Sequence, residues 1–298
     1  MRKALLAALG LAALGCAGAS PFPHHDPVTH DPASSVQPPP ALVGTPVFSD
    51  AARMNGIVYV AGGQGPHPTA ILLHGFPGEE RNLDLAQAIR RAGWNVLFFH
   101  YRGAWGSEGS FSFGNAIQDV GAAVALAGSA DFAAAHRADP GRIALVGHSM
   151  GGFLALVVGS ELAEVDCIAA LSPANMGLRA ALSPEAARAA AERLQRWTAP
   201  LRGTSGEALI AEIRANGERF DLVRRAAALA STPVLLVAGE RDRVTPIPAH
   251  HVPLVAAFEA ADATSLTTRR LNADHAYSSR RIALAREVVG WLGSTCAE

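Results

Sequence analysis

The sequence has 298 residues, 49% of them hydrophobic and 17% charged, which is too apolar for a disordered chain and ample for a large buried core. Its formal net charge is −1 at pH 7, so neither nucleic acid nor a broadly anionic surface is implied as a partner. No apolar run reaches the roughly 20 residues of a membrane-spanning helix.

Residues 1–19 open on Arg2 and Lys3 and continue through an apolar segment from Ala4 to Leu14, the pattern of a secretory signal peptide. Ala17-Gly18-Ala19 is a cleavage site ahead of Ser20. A second site overlaps it. "ALGC", ending at Cys16, resembles the lipobox of bacterial lipoproteins, with Ala13 where leucine is favoured. That resemblance implies a lipidated Cys16 at the mature N-terminus and contact with the membrane through the lipid alone. Both readings export the protein, either lipid-anchored in the cell envelope (periplasmic side or cell surface) or secreted. Residues 20–45 hold "HHDPVTHDP" and "QPPP", a proline-rich composition that reads as an extended linker. His24, His25, His30, Asp26 and Asp31 offer weak metal ligands there, but a solvated spacer accounts for them.

From residue 46 onward, short apolar segments alternate with helical patterns. The strands are expected at Ile57–Val60, Ala70–Leu73, Val96–Phe99, Ile143–Val146, Cys167–Leu171, Val234–Val237 and Ser265–Leu271. Several are apolar throughout, as strands covered on both faces must be. Helices are expected at Leu83–Ala92, Ala116–His136, Gly152–Glu161 and Arg280–Leu292. The alternation predicts an α/β domain over 46–298, its central sheet mostly parallel and flanked by helices. Residues 173–231 break the pattern with alanine- and arginine-rich helical stretches, which predicts a helical cap of two to four helices over one end of the sheet. Cys167 reads as a buried free thiol, Cys296 lies near the C-terminus, and no Cys/His spacing resembles a zinc site.

"ALVGHSMGGFLAL", residues 144–156, carries the strongest signal. Ser149 has glycines two residues before and two after it, between a strand and a helix. This G-x-S-x-G pattern is the nucleophile elbow. A sharp turn crowds the neighbours of the serine, so Gly147 and Gly151 must lack side chains, and the helix N-terminus supplies free N–H groups.

Four further segments stand in a telling order. "HGFPG" (74–78) and "HYRGAWGSEGS" (100–110) each follow a strand. "GERDRVTP" (239–246) follows the strand after the insertion, and "ADHAY" (273–277) follows the last strand. Together with the elbow they resemble the α/β-hydrolase superfamily over residues 46–295, with a "YRG-x-G-S" loop like that of esterase and aminopeptidase-like members. The resemblance implies that fold, and an oxyanion hole made by the backbone N–H groups of Phe76 and Met150.

A serine hydroxyl needs a neighbouring base, and the base needs a partner that holds its tautomer. His275, in a loop after the last strand, is the base, and Asp242 the orienting acid, with Glu240 and Asp274 as rivals. His148 reads as structural with its side chain turned from the elbow, His250 and His251 as surface residues opening a helix, and His74 as support for the oxyanion loop. Arg102 reads as a loop clamp rather than an anion site. Trp105, Met176 and Trp197 are candidates for the substrate pocket, with core packing as the alternative for each.

The reading is an exported serine hydrolase that cleaves carboxylic esters through an acyl-enzyme, with no metal or organic cofactor. Its partner is a small-molecule ester or short peptide. The alternative is a serine peptidase of the prolyl-oligopeptidase or proline-iminopeptidase kind. A non-catalytic binding protein on the same fold is the third reading, and the complete set of Ser149, His275 and Asp242 argues against it.

Overall fold

The computed structural model describes residues 26–296. Cys16, the leader, His24 and His25 lie outside the described residues. In chain order the elements begin with β1 (Ala41–Gly44), β2 (Val47–Ser49), β3 (Ala52–Met54), β4 (Gly56–Val60), β5 (His67–Leu73), α1 (Leu83–Arg91) and β6 (Asn95–Phe99). Then come α2 (Phe113–Ala127), α3 (Ala130–His136), β7 (Ala138–His148), α4 (Met150–Gly159) and β8 (Cys167–Leu171). The chain closes with α5 (Pro184–Gln195), α6 (Gly206–Ala215), β9 (Val234–Gly239), α7 (Ile247–Ala260), β10 (Leu266–Leu271) and α8 (Arg281–Thr295).

Eight strands form one sheet in the order β1-β4-β6-β5-β7-β8-β9-β10. The six strands from β6 to β10 in that order run parallel, while β4 is antiparallel to both its neighbours. Side chains alternate faces along each strand. Ile71, Leu73, Leu145 and Leu236 point into a core shared with α2, α4 and α7. Their neighbours Leu72, Val146, Leu235 and Val237 point into a second core shared with α1 and α8. Both faces are therefore dry, as the unbroken apolar runs require. This is the α/β-hydrolase fold, a mostly parallel sheet flanked by helices.

Several local expectations are revised. Residues 41–44, within the stretch read as linker, form β1, which pairs with β4 from Ala41–Val60 to Gly44–Ile57. The preceding turn also docks. Arg91 donates to the carbonyls of Pro27 and Val28, and Val28 packs on the second core. The helix expected from 116 to 136 divides at Gly128. Ser129 caps the second piece by accepting from the Phe132 N–H at 3.1 Å, as N-cap serines do.

Cys167 is not a free thiol. It is bonded to Cys296 across 129 residues, with the Cα atoms 6.0 Å apart. Both cysteines belong to the second core, where the end of α8 lies under β8. Sequence separation hides this pairing because it depends on which strand the last helix crosses.

Between β8 and β9 the insertion contains a 3-10 turn at Met176–Arg179, then α5 and α6, then two short 3-10 turns. Ser183 and Ser205 cap α5 and α6. The two helices approach closely, and a Cβ on Gly206 would collide with the Ala191 carbonyl. Glu212 ties the cap to the core by accepting from the N–H groups of Phe113 and Gly114 at 2.9 and 2.8 Å. A carboxylate at a helix N-terminus also meets the favourable end of the helix dipole.

Candidate active site

Ser149 stands at the junction of β7 and α4, with φ 57° and ψ −114°. A non-glycine residue at positive φ is strained. The surroundings hold it there. Its N–H donates to the Leu171 carbonyl at 2.8 Å, and its carbonyl accepts from Ala174 at 3.0 Å. Added Cβ atoms would drive Gly147 into the Gly151 carbonyl and Gly151 into the Leu73 carbonyl, so the two framing glycines are required by close approach. The turn puts Ser149 in the wall of a cavity of about 470 Å³ that His275 also lines.

The acid loop follows β9 and the histidine loop follows β10, on neighbouring parallel strands. They meet where the Nδ1 of His275 lies 2.7 Å from the Oδ2 of Asp242. A carboxylate only accepts, so Nδ1 carries a proton and donates it to Asp242. The Asp242 carboxylate has no exposed surface and every oxygen is engaged. Oδ1 accepts from the N–H groups of Val244 and Thr245 at 2.8 and 2.9 Å, and Oδ2 also accepts from the Thr245 hydroxyl at 2.6 Å. Burial alone would raise its pKa, but the hydrogen bonds from His275 and Thr245 outweigh it and hold the group well below the usual carboxylate range. The rivals point elsewhere. Glu240 is exposed, and Asp274 is exposed and accepts from the Ser278 N–H.

His148 does not turn away from the site. It lines the same cavity, and its Nε2–H donates to the His275 carbonyl at 2.8 Å, which anchors the histidine loop. Tyr277 anchors it again. Its hydroxyl donates to the Val237 carbonyl at 3.0 Å and receives the Ser172 hydroxyl at 2.9 Å. Burial holds the imidazole of His148 down at about 3, so it stays neutral. Thr245 and Tyr277 were not singled out in the sequence. The Asp-x-x-Thr spacing, which suits a side chain bonding its own loop, was the available signal for Thr245.

On the other side lies the loop after β5. Phe76 lines the cavity and packs on Phe111 and Phe113, ring centroids 5.8 and 6.2 Å away. The Met150 side chain is fully buried, and its backbone N–H is a first-turn amide of α4, without an intrahelical acceptor. His74 supports the loop. Its Nδ1–H donates to the Gly75 carbonyl at 2.7 Å, and its Nε2 accepts from His100 at 3.2 Å. Gly78, at φ +107°, lies so close to His74 and Trp105 that no Cβ fits.

Trp105 does not line the cavity. Its indole N–H donates to the Pro77 carbonyl at 2.8 Å, so it braces the same loop from behind. Met176 and Trp197 do line the cavity, together with Phe113, Leu194 and Ile213. Arg102 is buried against Asp119 and donates to the Asn115 carbonyl and the Gln118 side chain, which clamps its loop to α2. His251 is buried, and His250 accepts from the Asn175 N–H at 3.1 Å, so neither is a free surface residue. Among the described residues, no cluster of His, Cys, Asp and Glu is arranged to hold a metal.

Comparison with solved structures finds the same fold in several hydrolases. Est1E from Butyrivibrio proteoclasticus matches with a TM-score of 0.62 at 21% identity, covering 86% of this chain and 99% of that one. The Pyrococcus furiosus esterase Pf2001 matches at 0.56 and 18% identity, covering 85% and 90%. The Pyrococcus horikoshii acylaminoacyl peptidase matches at 0.67 and 13% identity, covering 88% of this chain and 42% of the peptidase. A sequence comparison with curated proteins finds no significant match. The family model for the "Alpha/beta hydrolase family" matches residues 70–287, so the chain belongs to the alpha/beta hydrolase family.

Proposed function

We propose that this hydrolase cleaves carboxylic esters through an acyl-enzyme formed on Ser149. The observation that carries the reading is the bond of 2.7 Å between Asp242 Oδ2 and the Nδ1 of His275, a histidine that lines the same cavity as Ser149. In this mechanism the Nε2 of His275 takes the Ser149 proton as Oγ attacks the ester carbonyl. Asp242 holds the tautomer and stabilises the imidazolium. The N–H groups of Phe76 and Met150 receive the oxyanion, each such donor contributing roughly 3 kcal/mol. His275 then protonates the departing alkoxide, and water, deprotonated by the same nitrogen, releases the acid.

The ester reading draws support from a cavity walled by Phe76, Phe113, Leu194 and Trp197, which suits an apolar acyl or aryl group. A structure of Est1E holds ferulic acid, an aryl acid. The acylaminoacyl peptidase among the neighbours keeps peptide substrates in the test. p-Nitrophenyl esters of rising chain length, run beside aminoacyl p-nitroanilides, separate the two. Ester turnover at least tenfold above anilide turnover, lost by about 10⁶-fold in Ser149→Ala, is the expected result. Anilides turned over faster than every ester would replace the reading with the peptidase one.

We propose further that the protein is exported, with Cys16 as lipid anchor or Ser20 as the free start. The Cys167–Cys296 bond supports this, because such bonds persist in oxidising compartments. Mass spectrometry of the mature N-terminus separates the two forms.

A further inference from the structure

The cavity holds a cation that the reaction does not use. Arg179 closes the 3-10 turn at the start of the cap and lines the same cavity as Ser149 and His275. A guanidinium has five N–H donors. Among the described residues its one hydrogen bond is from Nη1 to the Met176 sulfur at 3.4 Å, and a thioether is a weak acceptor. No described carboxylate lies within ion-pair distance of it. Several other arginines of this chain, the buried Arg102 among them, are paired. Arg102 pairs with Asp119, Arg269 with Glu287, Arg281 with Asp84, and Arg219 and Arg225 with Glu161.

The surroundings make this isolation costly. Desolvation first, and then repulsion from Arg193, push the Arg179 pKa below its ordinary value. Next to it His250 is pushed down to about 4, by burial first and by Arg179 second, so it adds no compensating charge. The cavity wall nearby is apolar, with Met176, Leu194 and Trp197. Glu79 and Glu80 also reach the cavity, but from the loop after β5, and Glu80 is engaged with the Asn82 N–H at 2.7 Å. A half-desolvated charge without a partner becomes favourable when an anion enters and pairs with it. The planar fork of arginine matches a carboxylate with two parallel bonds.

We propose that Arg179 binds a carboxylate carried by the substrate, so that the preferred esters are anionic ones, with a free carboxylate on the acyl or the leaving half. The inference rests on the ester reading above and deepens it. A neutral ester leaves the guanidinium unpaired, whereas an anionic one gains a charge-assisted pair in a poorly solvated site, an advantage of about 10- to 100-fold.

Two matched pairs test it. Monomethyl adipate against methyl hexanoate places the charge on the acyl side. 4-Acetoxybenzoate against 4-methylphenyl acetate places it on the leaving side. Arg179→Gln should lower kcat/KM for the anionic member of one pair at least tenfold more than for its neutral partner, chiefly through KM. Arg179→Lys should fall between the two. Equal losses within both pairs, at an unchanged melting temperature, overturn the proposal. A second readout does not depend on turnover. Adipate and 4-hydroxybenzoate, titrated calorimetrically into wild type and Arg179→Gln, should show at least one of the two bound tenfold more weakly by the variant. Equal binding of both, or none by wild type, also overturns it. If wild type hydrolyses none of the four esters, the p-nitrophenyl panel decides the ester reading, and the titration alone decides the role of Arg179.

Discussion

Two walls of one cavity are built differently. The wall with Ser149 and His275, backed by the buried Asp242, grows from the ends of parallel strands, and buried hydrogen bonds fix its loops. Thr245, Tyr277, Ser172, His148 and His74 each hold one of them. The wall from the cap rests on α5 and α6, where α5 buries only Ala187, Ala190 and Ala191, and a few ties reach the core, Glu212 among them. In the proposed mechanism the strand-end wall sets what reaction is possible. On the same proposal the cap wall, which carries Met176, Arg179 and Trp197, sets what fits. Changes in the first should therefore alter rate and stability steeply, and changes in the second should act mainly on affinity.

The sharpest contrast lies at the acid. Asp242→Asn should lower turnover by roughly 10⁴-fold by favouring the wrong imidazole tautomer, while Glu240→Gln and Asp274→Asn each cost less than tenfold. Kinetics at equal thermal stability rank the three, and a larger loss at Glu240 or Asp274 would remove Asp242 from the site.

Acid should attack the strand-end wall. His74 and His148 are each held down at about 3, by burial first, against an ordinary value of 6.5. The folded state thus resists protonation that the unfolded chain accepts. Their stabilising effect is complete above about pH 6.5 and falls away as pH drops toward 3, by up to about 1.4 kcal/mol per unit for each histidine. Denaturant midpoints from pH 7 to pH 4 measure the slope, and a flat profile contradicts the buried neutral assignment.

A third change acts beneath the sheet, away from the cavity. Removal of the Cys167–Cys296 bond by paired serine substitution should cost about 2–5 kcal/mol of stability and leave KM within twofold. Chemical denaturation with and without reductant reads the same quantity. The smallest effect belongs to the cap. Glu212→Gln weakens the tie to the α2 N-terminus and should cost about 1 kcal/mol, raising KM severalfold with kcat little altered. A large drop in kcat would show that the cap takes part in the chemistry.

The difference between the walls also explains what the sequence disclosed. The elbow was legible because a turn that tight leaves its glycines beside the serine. Asp242 and His275 were legible because parallel strands deliver their loops to one edge, so chain order predicts the meeting. Other features depend on packing between distant segments. Cys167 meets Cys296 only because the last helix ends under β8. Trp105 serves the Pro77 carbonyl because its loop folds behind residues 74–78. β1 was hidden by prolines on its N-terminal side, although Ala41–Gly44 itself lacks them. The structural role of His148 was legible, but not its reach to the His275 carbonyl, which depends on where the last loop packs. In the cap, the helical pattern showed where Met176 and Trp197 lay in sequence but not which side they faced.

The central claim is that Ser149 is the activated nucleophile. Incubation with a fluorophosphonate probe, followed by peptide mass spectrometry, tests it directly. The account predicts one probe per chain, on Ser149, with labelling abolished in Ser149→Ala and strongly slowed in His275→Ala. An unlabelled folded protein, or a probe attached to any other serine with Ser149 left free, would contradict it.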